Sequence, residues 1–175
     1  MPITLGEEAP NFDLSSTENA LLMLKDEVIR TAIVLYFFAD AADERARRDL
    51  QALEERREAL VRLRARPLAV SPLKVEDLKK LQAELELRFP LLADDRNFAA
   101  AYGVVPSEKG AEEGRPADPA LVLVSRRQKV LWLANPVASV AEALAQVEKV
   151  LAGQPTPTRS YPKSVINRWI DRWVN

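Results

Sequence analysis

The run from residue 31 to residue 38 constrains the fold of this chain more than any other segment. It reads Thr-Ala-Ile-Val-Leu-Tyr-Phe-Phe, so it is β-branched, aliphatic or aromatic throughout. A near-continuous apolar run of this length predicts a central strand that is buried on both faces of a sheet. The rest of the chain must then supply the layers that cover those two faces.

A long helix is predicted directly after this strand, from Asp43 to about Leu63. Asp43 suits the N-cap position, and the apolar residues that follow fall on one helical stripe. Glu and Arg fill the other positions at spacings of three and four, which indicates a solvated face and not a nucleic-acid-binding one. The stripe consists of Ala46, Leu50, Leu53, Leu60 and Val61.

Further strands and helices follow in an order that defines the fold class. Strands are predicted at 66–71, 120–124 and 130–134, and helices at 75–88, 97–102 and 139–152. Residues 89–93 are a short apolar segment, 105–119 read as a loop, and 125–128 connect the last two strands as a hairpin. Early alternation followed by a hairpin predicts an α/β, three-layer, thioredoxin-like fold over residues 1–153, with a central mixed sheet flanked by helices.

Charge and hydropathy exclude several classes of partner. The 175 residues carry a net charge of -1, which provides no field that would attract nucleic acid or an anionic membrane. The longest apolar run, Ala32 to Ala39, is far too short to span a bilayer. The first residues lack the basic and apolar segments of a secretion signal, so a cytoplasmic location is expected.

Two missing residue types restrict the chemistry further. The sequence has no cysteine, which excludes disulfides, thiolate nucleophiles and iron–sulfur ligation. It also has no histidine, the usual general base near neutral pH and the commonest transition-metal ligand. Catalysis would need carboxylates, Lys, Tyr, Ser or Thr, or a hard cation held by oxygens. No cofactor is expected.

Five short segments occur in a fixed order with fitting separations. Together they resemble the peroxiredoxin family (alkyl hydroperoxide reductase / thiol-specific antioxidant), especially its bacterioferritin-comigratory-protein branch, over roughly residues 5–152. The segments are Leu5-Gly6-x-x-Ala9-Pro10-x-Phe12-x-Leu14, Val34-Leu35-Tyr36-Phe37-Phe38, Val70-Ser71-Pro72 with Val75-Glu76, Phe89-Pro90-Leu91-Leu92-Ala93-Asp94 and Ala101-Tyr102-Gly103-Val104.

The resemblance implies a thiol peroxidase site, and this sequence departs from it at the reactive positions. The family carries Pro, Thr and Cys just after the first central strand, where this chain has Ala39, Asp43 and Ala46. The acidic residue three positions beyond the cysteine is matched by Asp49. In the family the thiolate attacks the peroxide oxygen, and Ala46 has no lone pair with which to do so.

The second active-site Arg of the family precedes the strand at 120–124. That place falls near Pro119 here, with Arg115 four residues upstream in the loop. Asp118-Pro119 also matches the position of the cis-proline in thioredoxins. Either a substrate-facing cis bond is retained, or a trans proline simply ends the loop.

A cluster of charged residues occupies the region of the lost site. One interpretation is a site for a hard cation or a cationic ligand. The other is helix N-terminal chemistry, in which carboxylates cap free N–H groups and complement the helix dipole. We prefer the second because the carboxylates lie where any helix would favour them. The cluster consists of Asp40, Asp43, Glu44, Arg45 and Asp49.

The predicted function follows from these positions. We expect a cysteine-less, peroxiredoxin-like protein that serves as a non-catalytic binding or scaffolding module, with another protein or its own copy as the partner. One alternative is an enzyme that uses Asp40, Asp43 and Asp49. Another is that the chain is related to antioxidant peroxidases by ancestry and not by activity, because fold does not fix function.

The C-terminal segment, residues 154–175, is predicted to be a linker followed by a short helix. Residues 154–162 contain three prolines, and Ser164 can cap a helix over 164–175. Its apolar face can pack on its own domain, on a second subunit, or on a membrane surface. The expected contact residues are Ile166, Trp169, Ile170 and Trp173, with Val165 and Val174 beside them.

Overall fold

A seven-stranded mixed sheet is the centre of the protein in a computed structural model that describes residues 3–104 and 118–154. Across the sheet the strands lie in the order β2-β1-β5-β4-β3-β6-β7, counted along the chain. The strands are β1 Asp13–Ser16, β2 Leu21–Met23, β3 Ala32–Phe37, β4 Ala65–Ser71, β5 Leu91–Ala93, β6 Ala120–Val124 and β7 Val130–Ala134.

Helices cover both faces of this sheet, and the described chain therefore has three layers. One face packs against α2, α3 and α4, and the other against α1, the 3-10 helix and the N-terminal residues. The mixed sheet with helices on both sides confirms the predicted thioredoxin-like class. The helices are α1 Leu24–Glu27, α2 Glu44–Arg62, α3 Val75–Glu84, the 3-10 helix Phe98–Tyr102 and α4 Val140–Ala152.

The central strand is β3, as the apolar run predicts. It pairs in parallel with β4 and antiparallel with β6, and all six of its residues are buried. Val34 and Tyr36 face the side of α2, while Leu35 and Phe37 face the opposite layer. Both faces of the strand are buried, which explains why polar and apolar residues do not alternate in its sequence.

The predicted stripe of α2 is confirmed, with one exception to the predicted solvated face. Leu50, Leu53 and Leu60 are fully buried in the core on that side of the sheet. Arg57 was expected to be solvated, but its side chain is only 2% exposed. Its Nε donates to Glu54 Oε1 at 3.1 Å, so an ion pair within the helix accompanies the charge into the interior.

One predicted boundary was wrong, and two features of the sheet were not predicted. The β1–β2 hairpin was not predicted, and β1 pairs antiparallel with β5, which makes the apolar segment at 89–93 a strand. The helix predicted at 75–88 ends at Glu84. Glu86 adopts a left-handed conformation with φ of 54°, which a continuing helix does not allow.

Several expectations lie outside the described residues. These are the loop at 105–117 with Arg115, and most of the C-terminal segment with Ile166, Trp169, Ile170 and Trp173. Within the described ranges, no helix has the length and apolar character needed to cross a membrane.

Candidate functional site

The position of the family's cysteine lies where β3 passes into α2. After β3 the chain runs through Ala39 to Asp43, and Ala46 occupies the first turn of the helix. The Ala46 side chain is 3% exposed and belongs to the same core cluster as Phe38 and Val137. A methyl group therefore fills this position, and it contributes to packing and offers no reactive atom.

Two of the carboxylates near Ala46 accept hydrogen bonds from the neighbouring backbone. Asp40 Oδ1 accepts the N–H of Ala42 at 2.8 Å, and Asp43 Oδ1 accepts the N–H of Arg45 at 3.1 Å. Asp43 is thus the N-cap of α2, as the sequence predicts. No three acidic, Cys or His side chains in residues 3–104 and 118–154 are grouped so that they could hold a metal ion. The capping interpretation accounts for these contacts.

Asp49 accepts a hydrogen bond from a buried tyrosine, a contact that the family positions do not indicate. The Tyr36 hydroxyl donates to Asp49 Oδ2 at 2.8 Å, and the tyrosine is fully buried. The Tyr36 ring also stacks on Phe38, with ring centroids 5.9 Å apart and planes 12° apart. The available signal was the alternation along β3, which turns Tyr36 towards the helix that carries Asp49.

Burial controls the protonation of this pair. It raises the pKa of the Asp49 carboxyl, while the Tyr36 hydrogen bond and the Arg45 charge act in the opposite direction. Burial, reinforced by the negative charge of Asp49, raises the pKa of Tyr36 far above its ordinary value. The hydroxyl therefore keeps its proton near neutral pH. Tyr36 is a hydrogen-bond donor here, and it cannot act as a phenolate base or nucleophile.

Arg45 joins this pair to the segment that precedes α4. Its Nε lies 3.9 Å from Asp49 Oδ2, and its Nη2 donates to the carbonyls of Val137 and Ala138. Val137 in turn donates its N–H to the Pro119 carbonyl at 2.8 Å. The structure thus brings Ala46 and Asp49, both on α2, to the same end of the sheet as Pro119, which lies about 70 residues later in the chain.

The proline alternatives resolve in favour of the trans bond. Among the described residues the cis peptide is Asn135–Pro136, and Asp118–Pro119 is not cis. Pro119 ends the preceding segment and presents its carbonyl to Val137. The site as a whole is a network of helix caps and hydrogen bonds around a buried methyl group.

These features define the class of protein first. The strand order, the three layers and the helix that begins after the central strand are those of a thioredoxin-like fold. The sequence matches the AhpC/TSA family over residues 5–133, which is more than half of the chain. The chain therefore belongs to the AhpC/TSA family, and it lacks the peroxidatic cysteine.

Solved structures of peroxiredoxins are similar to this one. Peroxidoxin BcpB from Mycobacterium tuberculosis matches with a TM-score of 0.76 and 18% identity, covering 87% of this chain and 98% of that chain. A cysteine-to-serine mutant of PrxQ from Xylella fastidiosa matches with a TM-score of 0.75 and 17% identity, covering 85% of this chain and 98% of that chain. AhpC from Mycobacterium tuberculosis matches with a TM-score of 0.72 and 19% identity, covering 87% of this chain and 93% of that chain. Identities this low establish the shared fold alone. No curated protein matches the sequence.

Proposed function

We propose that this chain is a non-catalytic binding or scaffolding module derived from a thiol peroxidase. Its partner is another protein or a second copy of the chain, and its location is the cytoplasm expected from the sequence. The observation that carries the proposal is Ala46, a buried methyl group at the position of the family's reactive thiol.

The chemistry of the site supports the loss of peroxidase activity. Thiol peroxidases need a thiolate that attacks a peroxide oxygen. The chain has no cysteine at any position, so no second thiol can replace the missing one. The other groups nearby are committed to structure, since Asp43 caps α2 and Tyr36 donates to Asp49. The site therefore holds a helix-capping network and no thiol nucleophile.

Peroxide consumption tests this proposal directly. Purified native chain is mixed with hydrogen peroxide and a small dithiol reductant, and the loss of peroxide is followed over time. The expected rate equals that of the same mixture without protein. Turnover by the native chain above that background would overturn the proposal, because it would require a nucleophile that the site does not contain.

The Ala46→Cys variant is the matched comparison. We expect little activity from it, since burial of the new thiol and the Asp43 carboxylate three residues earlier outweigh the opposite effects of the helix N-terminus and Arg45. Both burial and a nearby negative charge raise the pKa of a thiol and disfavour the thiolate. Titration of the single thiol with a reactive disulfide reports its pKa. A thiolate present at neutral pH would contradict this account of the pocket.

The binding role is tested separately from the catalytic one. The tagged native chain is recovered from cytosolic extract, and its complexes are sized and weighed in solution. The expected result is a stoichiometric complex with a partner protein or a second copy, unchanged by Ala46→Cys. Recovery of the chain only as a free monomer at its cellular concentration would count against a binding or scaffolding role.

A further inference from the structure

The outer side of β7 is an open and apolar sheet edge. β7 is the last strand of the sheet, and within residues 3–104 and 118–154 only β6 pairs with the stretch Leu131–Ala134. These four residues are apolar and all are partly exposed. Open edges present unpaired N–H and C=O groups to other chains, and natural proteins protect them with charges, prolines, bulges, or a covering helix or loop.

The N-terminal segment protects only the beginning of this strand. Gly6 donates its N–H to the Val130 carbonyl at 2.8 Å, and Val130 donates to the Glu7 carbonyl at 2.9 Å. These bonds hold Leu5 beside β7, where its side chain is 64% exposed. We call Leu5 together with Leu131–Ala134 the β7 edge patch. An open apolar strand edge of this kind is commonly covered by another element of the protein, and the exposed Leu5 extends the apolar surface beside it.

The chain leaves the described structure close to this patch. The indole Nε1 of Trp132, midway along β7, donates to Gln146 Oε1, midway along α4, at 3.2 Å. Because a helix that follows a strand through a short connection usually runs back along it, we expect the last turn of α4 near the start of β7. The stretch 155–163 has nine residues, which can span up to roughly 30 Å. The segment 164–175 can therefore reach the patch.

We propose that residues 164–175 of the same chain form a helix whose apolar face covers the β7 edge patch. The sequence places Ile166, Trp169, Ile170 and Trp173 on that face. A tether of nine residues keeps the segment at a high effective concentration near its own β7, which favours it over the segment of a second copy. The proposal is independent of the proposed function, because an active or an inactive site would leave this edge equally open.

Engineered cysteine pairs test the proposal cleanly, because the native chain contains no cysteine that would compete. The test pair is Leu5→Cys with Arg172→Cys, which joins the patch to the polar face of the segment. The control pair is Leu21→Cys with Arg172→Cys. Leu21 is 59% exposed, close to the 64% of Leu5, but it lies on β2 at the opposite edge of the sheet. Six strand spacings of about 4.8 Å separate the two edges by roughly 30 Å.

For each pair, the rate at which a short thiol-specific cross-linker joins the two cysteines is measured. The mass of each product is then determined. We expect the Leu5 pair to close at least tenfold faster than the Leu21 pair, and to give a product of monomer mass. Equal cross-linking rates would show that the segment has no defined position on the domain and would overturn the proposal. Products of dimer mass would assign the patch to a second copy, and that result would overturn it as well.

Hydrogen exchange gives a second measurement on the full-length chain. Trp169→Ser with Trp173→Ser should speed exchange severalfold at those amides of Leu131–Ala134 that point away from β6, because the cover is lost. The matched control, Arg168→Ser with Asp171→Ser, changes the polar face and should leave these amides unaffected. Unchanged exchange in the tryptophan variant would also overturn the proposal.

Discussion

Replacing Tyr36 with Phe isolates the hydrogen bond that links β3 to α2. The substitution removes one oxygen and keeps the ring, so the stacking on Phe38 is preserved. It leaves Asp49 without its 2.8 Å donor, in a place where the carboxylate side chain is only 13% exposed. Hydrogen bonds to charged groups contribute about 1.5–3 kcal/mol, against about 0.5–1.5 kcal/mol between neutral groups. We therefore expect a loss of about 1.5–3 kcal/mol at neutral pH.

The cost of Tyr36→Phe should depend on pH, and the sign follows from Asp49. Burial raises the pKa of this carboxyl above its usual 3.8, so the folded state binds the proton more tightly than the unfolded state does. The contribution of Asp49 to the stability of the native chain therefore falls as pH rises from about 4 through the raised pKa. The Tyr36 hydrogen bond lowers that pKa, and its removal makes ionisation of the folded state costlier still. The difference between variant and native chain should grow with pH across this range.

Urea unfolding between pH 4 and pH 8 measures this difference. Tyr102→Phe is the control, since the equally buried Tyr102 hydroxyl donates to the Pro10 carbonyl, which does not titrate. Its cost should stay near 0.5–1.5 kcal/mol at every pH in the series. A cost of Tyr36→Phe that is constant from pH 4 to pH 8 would refute the coupling between Tyr36 and the charge on Asp49.

Two further substitutions test the packing and the capping of α2. Leu53→Ala should cost about 2–5 kcal/mol in urea unfolding, because Leu53 is fully buried and truncation leaves a cavity; a loss below 1 kcal/mol would show that the core closes over the site. Asp43→Ala should cost about 0.5–2 kcal/mol through loss of the N-cap, whereas Asp43→Asn, which still accepts the Arg45 N–H, should retain most of the stability; equal losses in the two variants would point to charge and not to capping.

The elements that the sequence predicts are those whose pattern is strong within one segment. The run at 31–38 is apolar throughout, and the α2 stripe repeats over five turns, so both follow from local periodicity. The β1–β2 hairpin does not, because Asp13–Ser16 is mostly polar and Leu21–Met23 is three residues long. What makes β1 a strand is its pairing with β5, about 80 residues later in the chain.

The contacts of the site were harder to predict than its residues. Ala46, Asp43 and Asp49 were identified from family positions, and the Asp43 cap follows from helix chemistry alone. The alternation along β3 indicates that Tyr36 faces α2, but only the packed structure shows that Asp49 is the residue that accepts its hydrogen bond. The burial of Arg57 could not be predicted from the sequence either. A charged residue predicts exposure, and only the packed structure reveals that Glu54 accompanies it into the interior.

The position of β3 at the centre of the sheet has a consequence for synthesis on the ribosome. One neighbour, β4, is complete at Ser71, but the other, β6, begins only at Ala120, about 50 residues later. At ~5–20 residues per second, translation leaves one side of β3 without its partner for about 2.5–10 s. During that interval the nascent chain exposes an unpaired strand edge along Ala32–Phe37, six residues that are buried in the folded protein. The nascent chain is therefore more open to aggregation through this edge than the folded protein, in which β3 is completely buried.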